Sequence, residues 1–157
     1  MPHIHEKIDF TVETFVVHKN KVLLRKHDKY KAWLSVGGHI ELHEDPNEAA
    51  VREVWEETGL RVKLLGMIPV TESSDTYREL LAPRYLDRHR VSDTHEHVTL
   101  VYFATSDTDE VRQGEREISD GIRWFTKEEL DDPQYELRDN IRFYSKKALE
   151  AFERETS

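Results

Sequence analysis

Apolar positions along the chain gather in short runs set between charged stretches. Phe10 to Val17 is rich in Phe, Val and Thr and predicts a strand. Lys19-Asn20-Lys21 predicts a turn, with Val22-Leu23-Leu24-Arg25 pairing back as a hairpin. Trp33 to Ile40 predicts a short extended stretch broken at Gly37-Gly38. The period then changes. Asp45 is placed to N-cap a helix, Pro46 to occupy its first position and Glu48 to complete a capping box, while Gly59 suits a left-handed C-terminal residue. At 100° per residue, Asn47, Ala50, Val51, Val54 and Thr58 share one face, predicted to pack on a sheet. Arg61 to Val70, Val98 to Ala104 and Ile118 to Phe125 predict further strands, and Thr126 to Glu129 a second capping box. A last helix, about Arg138 to Arg154, carries Ile141, Tyr144, Ala148 and Phe152 at spacings of three and four. Thr71 to His97 predicts a long polar connection and Ser106 to Glu117 an acidic loop. Strands before, between and after helices favour a mixed α/β (α+β) sandwich over a bundle or an all-β barrel.

Composition narrows the function classes. With 157 residues, one domain over 1–157 is expected. Acids outnumber bases 32 to 23, a net charge of −9, which disfavours a broad phosphate-neutralising face for a nucleic-acid polymer or an anionic membrane surface. The chain has no cysteine, so disulfides, thiolate zinc sites, iron–sulfur clusters and cysteine nucleophiles are excluded. The apolar stretch around Leu64 to Val70 is too short to span a bilayer, and the first residues lack the apolar core of a signal peptide. A soluble, cytoplasmic protein is the expectation. The acidity is uneven. Gly38 to Leu60 holds seven acids and one base, whereas the remainder has 25 acids and 22 bases.

That acidic segment carries candidate chemistry. Glu53, Glu56 and Glu57 stand at i, i+3 and i+4, so their side chains are neighbours on the helix surface. Three carboxylates so close repel one another, and a hard divalent cation, Mg2+ or Mn2+, would relieve the repulsion. Magnesium completes its shell with water and substrate phosphates, so the set suits an open site for a polyphosphate. Arg52 is placed to tether Glu44 and hold the incoming loop. The plain alternative is a solvated glutamate-rich helix face.

The spacing resembles the Nudix box of the Nudix hydrolases: Gly, five residues, Glu, seven residues, Arg-Glu, an apolar residue, any residue, Glu-Glu, any residue, Gly, apolar. Gly38, Glu44, Arg52, Glu53, Val54, Glu56, Glu57, Gly59 and Leu60 fill every specified position. Trp33 ahead of Gly37-Gly38 looks like the family's strand into the box, and Arg123 to Leu130 like its closing strand and helix start. Ser35-Val36 departs from the Leu-Pro of many members, which leaves the box intact and the subfamily open. The resemblance implies an α/β/α sandwich around a mixed sheet. It also implies metal-dependent hydrolysis of a nucleoside diphosphate linked to another group. Glu53, Glu56 and Glu57 would ligate Mg2+ or Mn2+, Glu44 and Arg52 would orient loop and helix, and Gly38 and Gly59 would permit tight backbone. The general base varies across the family. Here Glu96, Glu115, Glu117 and Asp120 are acidic candidates outside the box.

Other residues carry weaker signals. Arg25, Arg84 and Arg88, with Gly37 and Gly38, are candidate substrate contacts, and Arg78 and Arg90 belong to the same arginine-bearing segment. Tyr30, Trp33 and Tyr85 are candidates to stack on a base, with Trp33 equally suited to the core and Trp55 read as a packing residue. His95-Glu96-His97 invites a zinc reading, but no third ligand is evident in the neighbouring sequence, so polar loop or substrate contact is preferred. His39 and His43 are expected at the surface. The rival functions are a Nudix-fold module that senses a nucleotide without cleaving it, and an isomerase-type enzyme on the same fold, which the missing cysteine disfavours. Specificity is expected in 71–97 and 106–117. Many Nudix proteins dimerise, so a homodimer stays open, although no apolar stripe marks an interface.

Overall fold

The structure, a computed structural model, describes residues 6–68, 73–113 and 121–156. The elements run β1 (Ile8–His18), β2 (Lys21–Lys26), β3 (Trp33–Leu34), β4 (Val36–His39), α1 (Pro46–Thr58), β5 (Val62–Leu64), β6 (Tyr85–Ser92), β7 (His95–Ser106), β8 (Gly121–Thr126), two short 3-10 turns and α2 (Asp139–Thr156). The strands form one mixed sheet with β3-β2-β1-β7-β5 as its spine; β4 also pairs with β1, β6 with β7 and β8 with β2. Among the described strands only β1 and β7 run parallel, in register from Ile8 opposite Glu96 to Val17 opposite Thr105. The parallel pair needs a crossover between its strands, and α1 lies within it.

Alternation along β1 and β7 sorts the core into two layers. Val12, Val16, Tyr102 and Ala104 face one way and bury against Ala49, Ala50, Val54 and Leu60 of the α1 region. Phe15, Val17, Val101 and Phe103 face the other way, against Ile141, Ala148 and Leu149 of α2. This is the expected sandwich, with a helix on each face of a mixed sheet.

Helix α1 starts and stops where its chemistry directs. Asp45 Oδ1 accepts from the Glu48 backbone N–H at 2.9 Å, and the Asp45 N–H donates back to Glu48 at 3.0 Å. Gly59 ends the helix at φ 71°, its N–H bonded to the Trp55 carbonyl at 2.8 Å.

Several expectations need correction. The buried face of α1 is Ala49, Ala50, Glu53, Val54, Glu57 and Thr58, rotated from the predicted one; Val51 is 37% exposed. Asn47 instead pins a loop, bonding the Leu81 carbonyl and N–H at 2.9 and 2.8 Å. The strand expected over 61–70 is only Val62–Leu64, with 69 and 70 outside the described residues. The long polar connection holds a strand, β6, whose polar residues mask its pairing with β7. Thr126 and Glu129 do exchange hydrogen bonds, at 3.2 and 3.3 Å, but open a 3-10 turn rather than an α-helix. Trp55 is 48% exposed and lies beneath the Arg61 guanidinium, 4.5 Å from the ring centre.

Candidate active site

The box helix turns two of its three clustered glutamates into the protein. Glu53 is 1% and Glu57 2% exposed, whereas the Glu56 side chain is 49% exposed. The hydrophobic stripe and the carboxylate arc therefore overlap, which is why the buried face is rotated. A Cβ on Gly38 would collide with the Glu53 carboxylate, so a larger residue there would push that carboxylate out of its place.

Two arginines organise the cluster. Arg52 donates from Nε and Nη2 to both oxygens of Glu44, at 2.9 and 2.6 Å, a fork on a fork. Its Nη1 reaches Glu53 at 3.0 Å and Glu56 at 3.1 Å, and Nη2 also bonds the His39 carbonyl at 3.0 Å. The Glu44 carboxyl is held below its ordinary range, first by this hydrogen bond, and the Arg52 guanidinium is driven still further toward its charged form. Arg25, from β2, lies 3.3 Å from Glu57 Oε1. Four carboxylates thus meet two guanidinium groups and leave two negative charges. That donor set of hard oxygens fits one divalent cation.

Gly37 and Gly38 line a cleft of about 630 Å³ with Arg25, Arg88, Arg90 and Tyr30. Polar residues at alternate positions of β1 floor it: Thr11 and Glu13 point into the cleft, and Thr11 bonds Thr99 of β7 at 2.7 Å. Burial pushes the Glu13 carboxyl up to about 6, against the opposing hydrogen bond from Ser35. Burial and the neighbouring histidines push His97 down to about 4.

The remaining candidates divide. Arg88 lines the cleft but is paired bidentately with Glu96, at 2.7 and 3.1 Å. Glu96 is in turn held in its charged form by Arg88, which suits a partner better than a base. Arg84 is outside the cleft, bonded to Glu155 at 2.5 Å and set over Phe103. Arg78 pairs with Asp45 and Glu48. Tyr85 is enclosed by Phe103, Phe143 and Tyr144, and Trp33 stands edge-on to Phe125, so neither is placed to stack on a ligand. Glu115, Glu117 and Asp120 fall outside the described residues. His43 is exposed as expected, but His39 is largely buried, 3.2 Å from Asp9. His95 and His97 sit within β7, not in a loop. Asp9 and Glu13 are missed by sequence reasoning. The available signal was the run Asp9, Thr11, Glu13, polar at every second position of an otherwise apolar strand.

The family model for the NUDIX domain matches residues 11–152. The chain belongs to the Nudix family. Among solved structures, a Nudix-family hydrolase from Clostridium perfringens is 38% identical, covers 90% of this chain and 96% of its own, and superposes with a TM-score of 0.83. A Xenopus laevis protein named m7GpppN-mRNA hydrolase NUDT17 is 34% identical over 71% of this chain and 40% of its own length. An RNA pyrophosphohydrolase from Roseobacter denitrificans is 42% identical over 31% of this chain and 30% of its own. The chain therefore spans well under half the length of these two curated relatives. Among the described residues, no helix is long and apolar enough to cross a membrane.

Proposed function

We propose that this Nudix domain, read as a single unit over 1–157, is a divalent-metal-dependent pyrophosphohydrolase of the cytoplasm. It splits the diphosphate linkage of a nucleoside triphosphate or nucleoside diphosphate derivative. The observation that carries the proposal is the cluster of Glu44, Glu53, Glu56 and Glu57 around Arg52 and Arg25, because two excess negative charges held this close call for a cation. Glu53, Glu56 and Glu57 would hold Mg2+ or Mn2+. A bound metal of this kind neutralises diphosphate charge and lowers the pKa of its water.

The other residues position. Arg52 keeps Glu44, Glu53, Glu56 and the His39 backbone in one arrangement. Arg25 sets the direction of Glu57 from the adjoining strand. Gly37 and Gly38 keep the cleft wall low where a diphosphate would lie, and Arg90 stands at its rim beside Arg88, which would have to exchange Glu96 for a substrate phosphate. Glu13 is a cleft carboxyl that burial pushes up to about 6, which suits it to accept a proton as a general base.

Two relatives are named for RNA substrates, whereas the −9 charge of this chain opposes a long anionic polymer. A screen of nucleoside triphosphates, nucleotide sugars, ADP-ribose, dinucleoside polyphosphates and a short 5′-capped RNA, with Mg2+ or Mn2+, tests the reading. Turnover of at least one small nucleotide, lost in Glu57→Gln, is expected. Nucleotide binding with no product on the whole panel would establish the sensing module instead.

A further inference from the structure

The sheet gathers a second set of metal-competent side chains away from the glutamates. Asp9 of β1 stands opposite His97 in the parallel pairing with β7. His95 lies two residues earlier on β7, hence on the same face. His39 of β4 pairs with Thr11, two residues from Asp9. The strands thus converge four side chains, and one ligand atom each from Asp9, His95 and His97 lies within 4.8 Å of the others. Asp9 Oδ2 is 3.0 Å from His95 Nε2 and 3.2 Å from His39 Nε2. The His97 ring stands edge-on to both, its centre 5.3 Å from that of His95 and 5.1 Å from that of His39.

The hydrogen-bond chemistry of His95 is informative. Its Nδ1 is 3.2 Å from the Glu6 carbonyl and its Nε2 3.0 Å from the Asp9 carboxylate, so an acceptor faces each ring nitrogen. A neutral imidazole has one donor and one acceptor. An imidazolium meets both acceptors by donating twice; a neutral ring that donates from Nδ1 to the carbonyl turns its Nε2 lone pair toward the carboxylate, the arrangement in which both would share a cation. A backbone carbonyl on the far nitrogen is the outer-sphere partner that metal-binding histidines use. Two edges already match tetrahedral zinc: bonds of about 2.0–2.1 Å imply ligand–ligand edges of about 3.3 Å, near the distances from Asp9 to His95 and His39, while His97 would have to close in from within 4.8 Å. Asp9 and His95 are 1% and 5% exposed, while His39 and His97 border the cleft.

We infer that Asp9, His39, His95 and His97 form a second cation site, selective for zinc or a similar transition metal, at the inner floor of the cleft. Three imidazoles and one carboxylate suit zinc, whereas the all-oxygen glutamate cluster suits magnesium. The two ions therefore sort by ligand chemistry within one domain, and the inference does not depend on hydrolysis.

The test is zinc titration of the full chain, stripped with a chelator and held in excess Mg2+, with Co2+ as the coloured probe. One equivalent of Zn2+ should bind despite the magnesium, and Co2+ should give the intense visible absorption of a tetrahedral nitrogen–oxygen site. Asp9→Asn and His97→Gln should each weaken zinc by about 100-fold or more, beyond the range for outer-sphere partners. Glu56→Gln and Glu57→Gln should leave it unchanged. His97→Gln and His39→Gln, on the cleft border, decide the matter if the Asp9 variant does not fold. The inference is overturned if no zinc binds in magnesium, if binding survives the histidine changes, or if the glutamate changes abolish it. Absence of zinc binding would leave the four residues as a polar cluster that ties β1, β4 and β7 together.

Discussion

The two faces of the sheet handle buried charge in different ways. Beneath α1, the carboxylates of Glu44, Glu53 and Glu57 are each matched to a guanidinium, and the only large exposure is at Glu56. On the other face, Asp9 meets the imidazoles of His39 and His95, at 3.2 and 3.0 Å. The first cluster is permanently ionic, because guanidinium keeps its charge. The second is built on imidazoles, which unlike guanidinium can stand neutral and offer a nitrogen lone pair; burial and its neighbours push His97 down to about 4. Electrostatics held by arginine gives a fixed charge pattern; a carboxylate among imidazoles gives one built from potential ligands.

The strongest way to break this contrast is Glu57→Gln. Turnover should fall by about 1,000-fold or more, from the loss of several kcal/mol of metal-based stabilisation, while the chain still folds to the same secondary structure. Steady-state kinetics at saturating metal check it, and normal turnover would sink the assignment of this cluster. Next is Arg52→Ala, which leaves Glu44 and Glu53 without their fork. A loss of about 3 kcal/mol in urea unfolding is expected, the low end for breaking a buried pair because Arg52 retains some exposure. Arg52→Lys should recover only part of it, since an ammonium cannot bridge both Glu44 oxygens. A full recovery would mean that charge alone, not geometry, organises the box.

A smaller effect concerns Glu13. Its folded pKa is raised from 4.5 to about 6, so the folded state binds the extra proton. Its contribution to stability is present below pH 4.5 and lost as pH rises through 6. Relative to wild type, Glu13→Gln should therefore gain about 2 kcal/mol in stability between pH 4 and pH 7. Parallel stability curves for the two proteins would show that Glu13 is not buried as described. The smallest is Gly59→Ala, which forces a Cβ into the left-handed cap and should cost about 1 kcal/mol without altering metal dependence. A large drop in activity would show that the helix end, and not only its carboxylates, sets the site.

Particular residues show why some of this was legible. The spacing from Gly38 to Leu60 carried the family, the caps of α1 and the Arg52–Glu44 tether, because all lie within a few helical turns or one short loop. The face of α1 was misjudged for an identifiable reason. Glutamates are expected outside, yet Glu53 and Glu57 are buried because Arg52 and Arg25 accompany them. Strand β6 was hidden by its own side chains: Asp87, Arg88, His89 and Arg90 look like a loop, and only pairing with β7 makes them a strand. Tyr85 and Arg84 looked available for ligand and are instead committed to aromatic packing and to Glu155.

By itself, then, the sequence determined whatever depends on local spacing: the box helix, its termini, the carboxylate set and the family it marks. Helical neighbours are set by a period of 3.6 residues, which can be counted along the chain. Only the tertiary structure decided which glutamates are buried, which arginines are spoken for, and that Asp9, His39, His95 and His97 meet. Those contacts depend on strand register across separations of up to 88 residues, and no count along the chain specifies which residues stand opposite each other.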